Sequence, residues 1–261
     1  MRLSCFASGS SGNCALLELG GGRILLDAGI SCRRIKDNLA RSGLAPEALD
    51  AVLITHEHAD HIAGLATLMK QCGVSVYAPP ATARALRRSL NCEDGRILEA
   101  MPGEHFSVAG IDVLPFATPH DSAQSVGWRI TGPEGVFALA TDMGRVTEEI
   151  LAGLLGADTV IIEANHDEDM LRFGPYPVYL KRRILSEHGH LSNADCALLA
   201  RALAEHGTRR IVLGHLSREN NTPSVALRTV RAALEGLEVE LYAAPAEDRF
   251  ILETEGAPCS V

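Results

Sequence analysis

The segment Thr55-His56-Glu57-His58-Ala59-Asp60-His61 places four potential metal ligands, His56, His58, Asp60 and His61, within six residues. His56 and His58 are two apart, so in extended chain they point to one side, while Asp60 and His61 turn toward a neighbouring position as a helix begins. Imidazole and carboxylate donors suit Zn²⁺, Mn²⁺ or Fe²⁺ and do not form a soft thiolate site. A solvated polar helix start would explain one histidine but not this crowd, whose members repel on protonation and have little packing value. Two adjacent metals could be served.

Such a cluster needs rigid elements behind it. The apolar run Ala51 to Ile54 reads as a buried strand ending at the histidines, with a helix from Ile62 to Cys72 after them. Upstream, Leu3 to Ala7, Ala15 to Leu19 and Arg23 to Asp27 read as strands, followed by a helix from Ser31 to Ser42. Val74 to Tyr77 is a further strand and Pro79 to Leu90 a further helix. The middle is strand-rich, with Ile111 to Phe116, Ser125 to Ile130 and Val136 to Ala140. Thr159 to Glu163 and Arg210 to Leu213 then alternate with helices at Tyr176 to Glu187, Asn193 to His206 and Ser224 to Glu235, and Ser192 and Asp195 are spaced as a capping box. Strands followed by helices in each half suggest two sheets between helical layers, an α/β (α+β) architecture built as one domain over residues 1–261.

Composition limits the function classes. Hydrophobic residues are 46% and charged residues 22%, a balance that folds. The start lacks the apolar stretch of a signal peptide, and no run has the length of a membrane span, so a cytoplasmic protein without membrane contact is expected. Seven scattered cysteines with no Cys-x-x-Cys pair fit reduced core thiols. A net charge of −9 gives no overall attraction to nucleic acid, so a polyanion must be held locally by metals and a few basic side chains.

His56-Glu57-His58-Ala59-Asp60-His61 resembles the His-x-His-x-Asp-His signature of the metallo-β-lactamase superfamily. The resemblance extends along nearly the whole chain. Asp27 resembles the early aspartate that braces the histidine loop, and His120, Asp142 and His215, each after an apolar strand, match the later ligands. It implies an αββα sandwich in which His56, His58 and His120 hold one metal, Asp60, His61 and His215 the other, and Asp142 bridges them. The cofactor is then two divalent ions, Zn²⁺ or Mn²⁺, with Fe²⁺ as a further candidate. Outside the ligands, the segments Phe6 to Asn13, Glu163 to Asp167, Gly174 to Pro177, Gly189 to Asn193 and His215 to Pro223 are similar to the YycJ/WalJ branch, bacterial DNA exonucleases related to RNase Z. That similarity implies a phosphodiesterase acting on DNA in the 5′ to 3′ direction.

Two metals roughly 3.5 to 4 Å apart can share a water and lower its pKa toward neutrality. The expected mechanism has that hydroxide attack phosphorus, Asp60 orient it, and His190 protonate the departing oxygen. His190 has a plainer reading as a residue at a helix start. His166 is expected beside the site or in contact with substrate. The Ser8 to Asn13 loop, with Ser8, Ser11 and Asn13, either approaches a phosphate or is an ordinary turn. Arg218, Asn220 and Asn221 follow His215 on a candidate substrate-facing loop. Lys181 and Arg182, with Arg172, Arg183, Tyr176 and Tyr179 nearby, form the best basic segment for a nucleic-acid backbone, against the commoner reading of a solvated helix face. The ligands alone do not separate this activity from a thioesterase, a lactonase, an RNase or a cyclic-nucleotide phosphodiesterase, and a non-catalytic metal sensor is the rival of another class. A homo-oligomer is left open.

Overall fold

The computed structural model describes residues 1–92 and 95–254. In chain order the first half comprises β1 (Arg2–Ala7), β2 (Cys14–Leu19), β3 (Gly22–Leu26), α1 (Cys32–Arg41), β4 (Ala51–Leu53), α2 (Ala59–Ile62), α3 (Leu65–Gln71), β5 (Ser75–Ala78), α4 (Pro80–Leu90) and β6 (Ile97–Glu99). The second half comprises β7 (Phe106–Val108), β8 (Ile111–Thr118), β9 (Ser125–Gly132), β10 (Gly135–Ala140), α5 (Glu148–Leu154), β11 (Thr159–Glu163), α6 (Glu168–Phe173), α7 (Val178–Ile184), α8 (Asn193–Glu205), β12 (Arg210–Gly214), α9 (Pro223–Ala233), β13 (Glu240–Ala243) and β14 (Phe250–Glu253).

The strands form two sheets, ordered β14-β1-β2-β3-β4-β5-β6 and β13-β12-β11-β10-β9-β8-β7. Each sheet is antiparallel at one end and parallel at the other. β3, β4, β5 and β6 run parallel in the first sheet, as do β10, β11, β12 and β13 in the second. The parallel strands are joined by helical crossovers, which covers the outer faces and explains runs such as Thr159–Glu163 that are buried on both sides.

Three apolar layers follow from the two-residue period of the strands. Leu16 and Leu25 face α1, α3 and α4 with Val52 and Val76, whereas Leu17, Ile24 and Leu26 point the other way, toward Val113, Trp128, Ile130 and Phe137 of the second sheet. Val160, Ile162, Ile211 and Leu213 form the third layer with Ile150, Leu203 and Val230 of α5, α8 and α9. Helix, sheet, sheet, helix is thus the αββα sandwich the sequence implied. Cys5, Cys14, Cys32, Cys72 and Cys196 are buried thiols within it, while Cys259 lies outside the described residues. Among the described residues no helix is long and apolar enough to cross a membrane.

Some boundaries differ from those expected. The helix expected over Ile62 to Cys72 starts earlier and is broken into α2 and α3. Gly64 lies between them, and a Cβ there would sit 2.2 Å from the Ile30 carbonyl oxygen. The helix expected over Tyr176 to Glu187 contracts to α7, since Pro177 sets its start and Leu185 closes it. α5 and α6 were not anticipated, although Thr147 and Asp167 cap them by accepting from Ile150 N and Met170 N.

Candidate metal centre

The ligand candidates lie along one edge of the sandwich, on the loops that follow β4, β8, β10 and β12. Three of them or their supports, Asp27, Asp142 and His215, have left-handed backbone with φ of 55°, 57° and 55°. Each non-glycine residue held there costs on the order of 1–3 kcal/mol, and such strain persists where surrounding structure fixes a side chain for use. The histidine loop is pressed closely onto the chain after β3: a Cβ on Gly29 would fall 1.6 Å from the Asp60 carbonyl oxygen, so only glycine permits this approach.

Two triads meet at Asp142. In the first, His56 Nε2 and His120 Nε2 lie 3.1 and 3.3 Å from His58 Nδ1. In the second, Asp60 Oδ2 lies 3.5 Å from both His61 Nε2 and His215 Nε2. Asp142 stands between them, with Oδ2 3.3 Å from His61 Nε2 and Oδ1 3.5 Å from His215 Nε2 and 3.8 Å from His120 Nε2. Nitrogen ligands at about 2.0–2.1 Å from a tetrahedral ion are about 3.3 Å from one another, so the first triad has the spacing of a coordination shell. His215 Nε2 and Asp142 Oδ2 are buried without a hydrogen-bond partner, a need that a bound divalent cation would meet. The donor set fits divalent ions.

Charge tells the same story. Burial opposes the charged imidazoles of His61 and His215, yet the carboxylates facing them win: Asp27 and Asp142 hold His61 well above the ordinary range, and Asp142, Asp60 and Glu163 raise His215 to about 10. Burial likewise opposes charge on Asp142, and His215 and His61 keep its carboxyl well below the carboxylate range. His56 is pushed the other way, well down, by burial and then by the positive charge of His61. Binding of a divalent ion at these nitrogens would displace their protons.

Two buried carboxylates orient the histidines. Asp27 accepts Thr55 N at 2.8 Å and His61 Nδ1–H at 2.8 Å, which leaves His61 Nε2 as the ligand nitrogen. Glu163, at the end of β11 and fully buried, does the equivalent in the second half. Its Oε1 accepts from Nδ1 of both His215 and His190, each at 2.8 Å, and its Oε2 accepts from Met143 N and Leu191 N. Burial would raise the Glu163 carboxyl, but His190 and His215 hold it at about 2. Sequence reasoning gave Glu163 no role. The available signal was a single carboxylate closing the apolar run Val160 to Ile162, the same situation as Asp27 after Ile24 to Leu26.

His190 sits between two ligand candidates, its ring centroid 5.2 Å from those of His120 and His215, and is one-fifth exposed. Its position is fixed by pairing of the chain around it: Asn165 N donates to Leu191 O and Asn193 N to His166 O. The His166 side chain is buried, with neither ring nitrogen hydrogen-bonded. Burial pushes it down to about 4. A histidine depressed in the fold stabilises above its unfolded value near 6.5 and loses that contribution as pH falls through about 4. Ion-stripped wild type is therefore expected to lose about 3 kcal/mol more unfolding free energy between pH 7 and pH 4 than a His166→Leu variant. Urea titrations in which wild type and variant lose the same unfolding free energy between the two pH values would refute this.

Several residues expected on substrate have partners within the chain. Ser8 Oγ accepts His215 N, and Asn13 N donates to Asp60 O while its side chain closes on Gly9, so the Ser8 to Asn13 loop braces the centre as a structural turn. Asn220 and Asn221 are buried, and Asn221 Nδ2 donates to Ala164 O and Asn193 Oδ1. Lys181 Nζ donates to Arg172 O and Gly174 O. Arg218 donates to Ser11 Oγ and pairs with Glu247. Arg182 remains exposed on α7. His105 pairs with Asp112 and His206 with Ala202 O, away from the centre, as surface histidines do.

Residues 22–216 match the family model described as a β-lactamase superfamily domain, and the chain belongs to that superfamily. Within it the chain groups with two exodeoxyribonucleases. It is 39% identical over 234 residues to the exodeoxyribonuclease WalJ of Streptococcus pneumoniae serotype 2 (strain D39), covering 88% of this chain and 86% of that protein. It is 34% identical over 236 residues to the exodeoxyribonuclease YycJ of Bacillus anthracis, covering 90% and 89%. Among solved structures, the metallo-β-lactamase fold protein YhfI from Bacillus subtilis aligns with a TM-score of 0.74 at 19% identity over 97% of this chain and 99% of that one, which agrees on the fold.

Proposed function

We propose that this chain is a divalent-metal-dependent exodeoxyribonuclease. The observation that carries the proposal is the pair of ligand triads sharing Asp142 beside a histidine that Glu163 orients; the likeness to WalJ and YycJ supports DNA as the substrate. His56, His58 and His120 would hold one ion and Asp60, His61 and His215 a second, with Asp142 between them. Such ions, Zn²⁺ or Mn²⁺, neutralise a phosphodiester and bring the pKa of water toward neutrality.

The chain's own groups then have separate tasks. Asp60, a quarter exposed, accepts a hydrogen bond from the attacking water and orients it. His190 gives its proton to the departing oxygen, and the Glu163 carboxylate on its Nδ1 stabilises the imidazolium before transfer. The low exposure of His56, His61 and His215 keeps competing water from their ligand atoms.

The test is a panel of end-labelled single- and double-stranded DNA, RNA, a chromogenic phosphodiester and a thioester, each with Mn²⁺ and with Zn²⁺. Mononucleotide release from DNA is expected, in the 5′ to 3′ direction. Thioester turnover without nuclease activity would refute the proposal. His190→Ala is expected to lower kcat by about 10²–10⁴-fold with metal content intact, and unchanged turnover would remove His190 from the mechanism.

A further inference from the structure

Beside His190 lies a cavity of 210 Å³ that the catalytic groups do not fill. Gly189 and His190 form the wall it shares with the metal centre, where His120 Nδ1 is 3.3 Å from Gly189 O. Opposite stand Tyr176, Leu180 and Ile184, spaced four residues apart so that one face of α7 and the turn before it presents an aromatic ring and two aliphatic side chains. Ser10, Asn165 and Ser217 also line it.

Charge and size decide what belongs there. Arg183 also lines the cavity, but it is paired with Asp121, its Nε donating to Oδ2. A phosphate would meet Arg183 only as the partner of Asp121 and His190 only as the partner of Glu163, whereas a neutral planar ring would meet an aromatic face and aliphatic walls. At 210 Å³ the space is below that of sites for drug-sized ligands, roughly 300–1,000 Å³. It accommodates one base and excludes a base pair.

From this we infer that the cavity takes a single unpaired nucleobase, stacked on Tyr176, from the nucleoside whose oxygen departs toward His190. A blunt duplex end must therefore open by one pair before its first phosphodiester reaches the centre. The inference rests on the exodeoxyribonuclease reading and adds to it a selectivity for ends that fray.

The test compares duplexes that differ in the terminal pair alone, under single-turnover conditions with Mn²⁺. A terminal mismatch is expected to be cut about tenfold faster than a terminal G·C pair, the cost of one stacked step. Tyr176→Ala is expected to raise KM for a single-stranded oligonucleotide about tenfold, with a smaller change in kcat, and Tyr176→Phe to restore it. Bound-metal content and thermal melting report whether Tyr176→Ala folds. If it does not, Leu180→Trp, which fills the cavity, decides: lost oligonucleotide cleavage with metal retained supports the inference, and wild-type cleavage overturns it. Equal rates on mismatched and G·C ends with an unmoved KM also overturn it, leaving the exodeoxyribonuclease reading in place. If wild type cuts no DNA at all, both fall.

Discussion

Asp142→Asn is expected to lower kcat by about 10³-fold and to reduce bound metal from two ions per chain toward one. The carboxylate is the group within reach of both triads, 3.3 Å from His61 and 3.8 Å from His120, and it is almost wholly buried. Asparagine keeps the shape but removes a full negative charge from a site where His61 and His215 already face carboxylates for compensation. Its amide also turns an N–H toward nitrogen lone pairs that should face a cation. Removing one preorganised electrostatic group from such a site costs about 10²–10³-fold, and loss of an ion adds to that. Metal analysis after gel filtration, together with steady-state rates on labelled DNA, measures both parts. Retention of two ions with wild-type turnover would rule out the bridging role. Loss of rate with two ions retained would confine Asp142 to electrostatics.

The ligand candidates were legible because chemistry and topology coincide in them. Buried parallel strands are mostly apolar, so a histidine or aspartate where such a strand ends stands out, as His56, Asp142 and His215 do after β4, β10 and β12, and His120 stands out in the same way after the antiparallel β8. The early aspartate was readable for the same reason. What could not be read depends on contacts between distant segments. Glu163 acquires its role only because β11 is seated between β10 and β12, which brings His190 and His215 to one carboxylate oxygen. Asn221 and Lys181 look like groups for a substrate when seen in the sequence, yet each donates to backbone carbonyls that loop closure would otherwise leave unpaired. A sequence shows that a polar side chain exists, while its partner is fixed by the fold. The same limit applied to helix ends, where Gly64 and Pro177 set boundaries through close packing and a fixed φ.

Glu163→Gln is expected to lower kcat by about 10²-fold and to weaken metal affinity by 10–100-fold. Both carboxylate oxygens accept hydrogen bonds, Oε1 from two histidines and Oε2 from two backbone amides. An amide has one oxygen, so one pair of donors must face an NH₂ group. If the oxygen stays on Met143 N and Leu191 N, the NH₂ drives His190 and His215 to carry their protons on Nε2, where His215 can no longer ligate. If the oxygen stays on the histidines, two buried amides lose their acceptor at a cost of about 1–3 kcal/mol each. A double-mutant cycle separates the two routes. In a His190→Ala background the effect of Glu163→Gln on kcat should shrink, because the proton donor it orients is gone, while the loss of metal affinity through His215 should persist. Full additivity in kcat would mean that Glu163 does not act through His190, and wild-type metal affinity would mean that it does not act through His215.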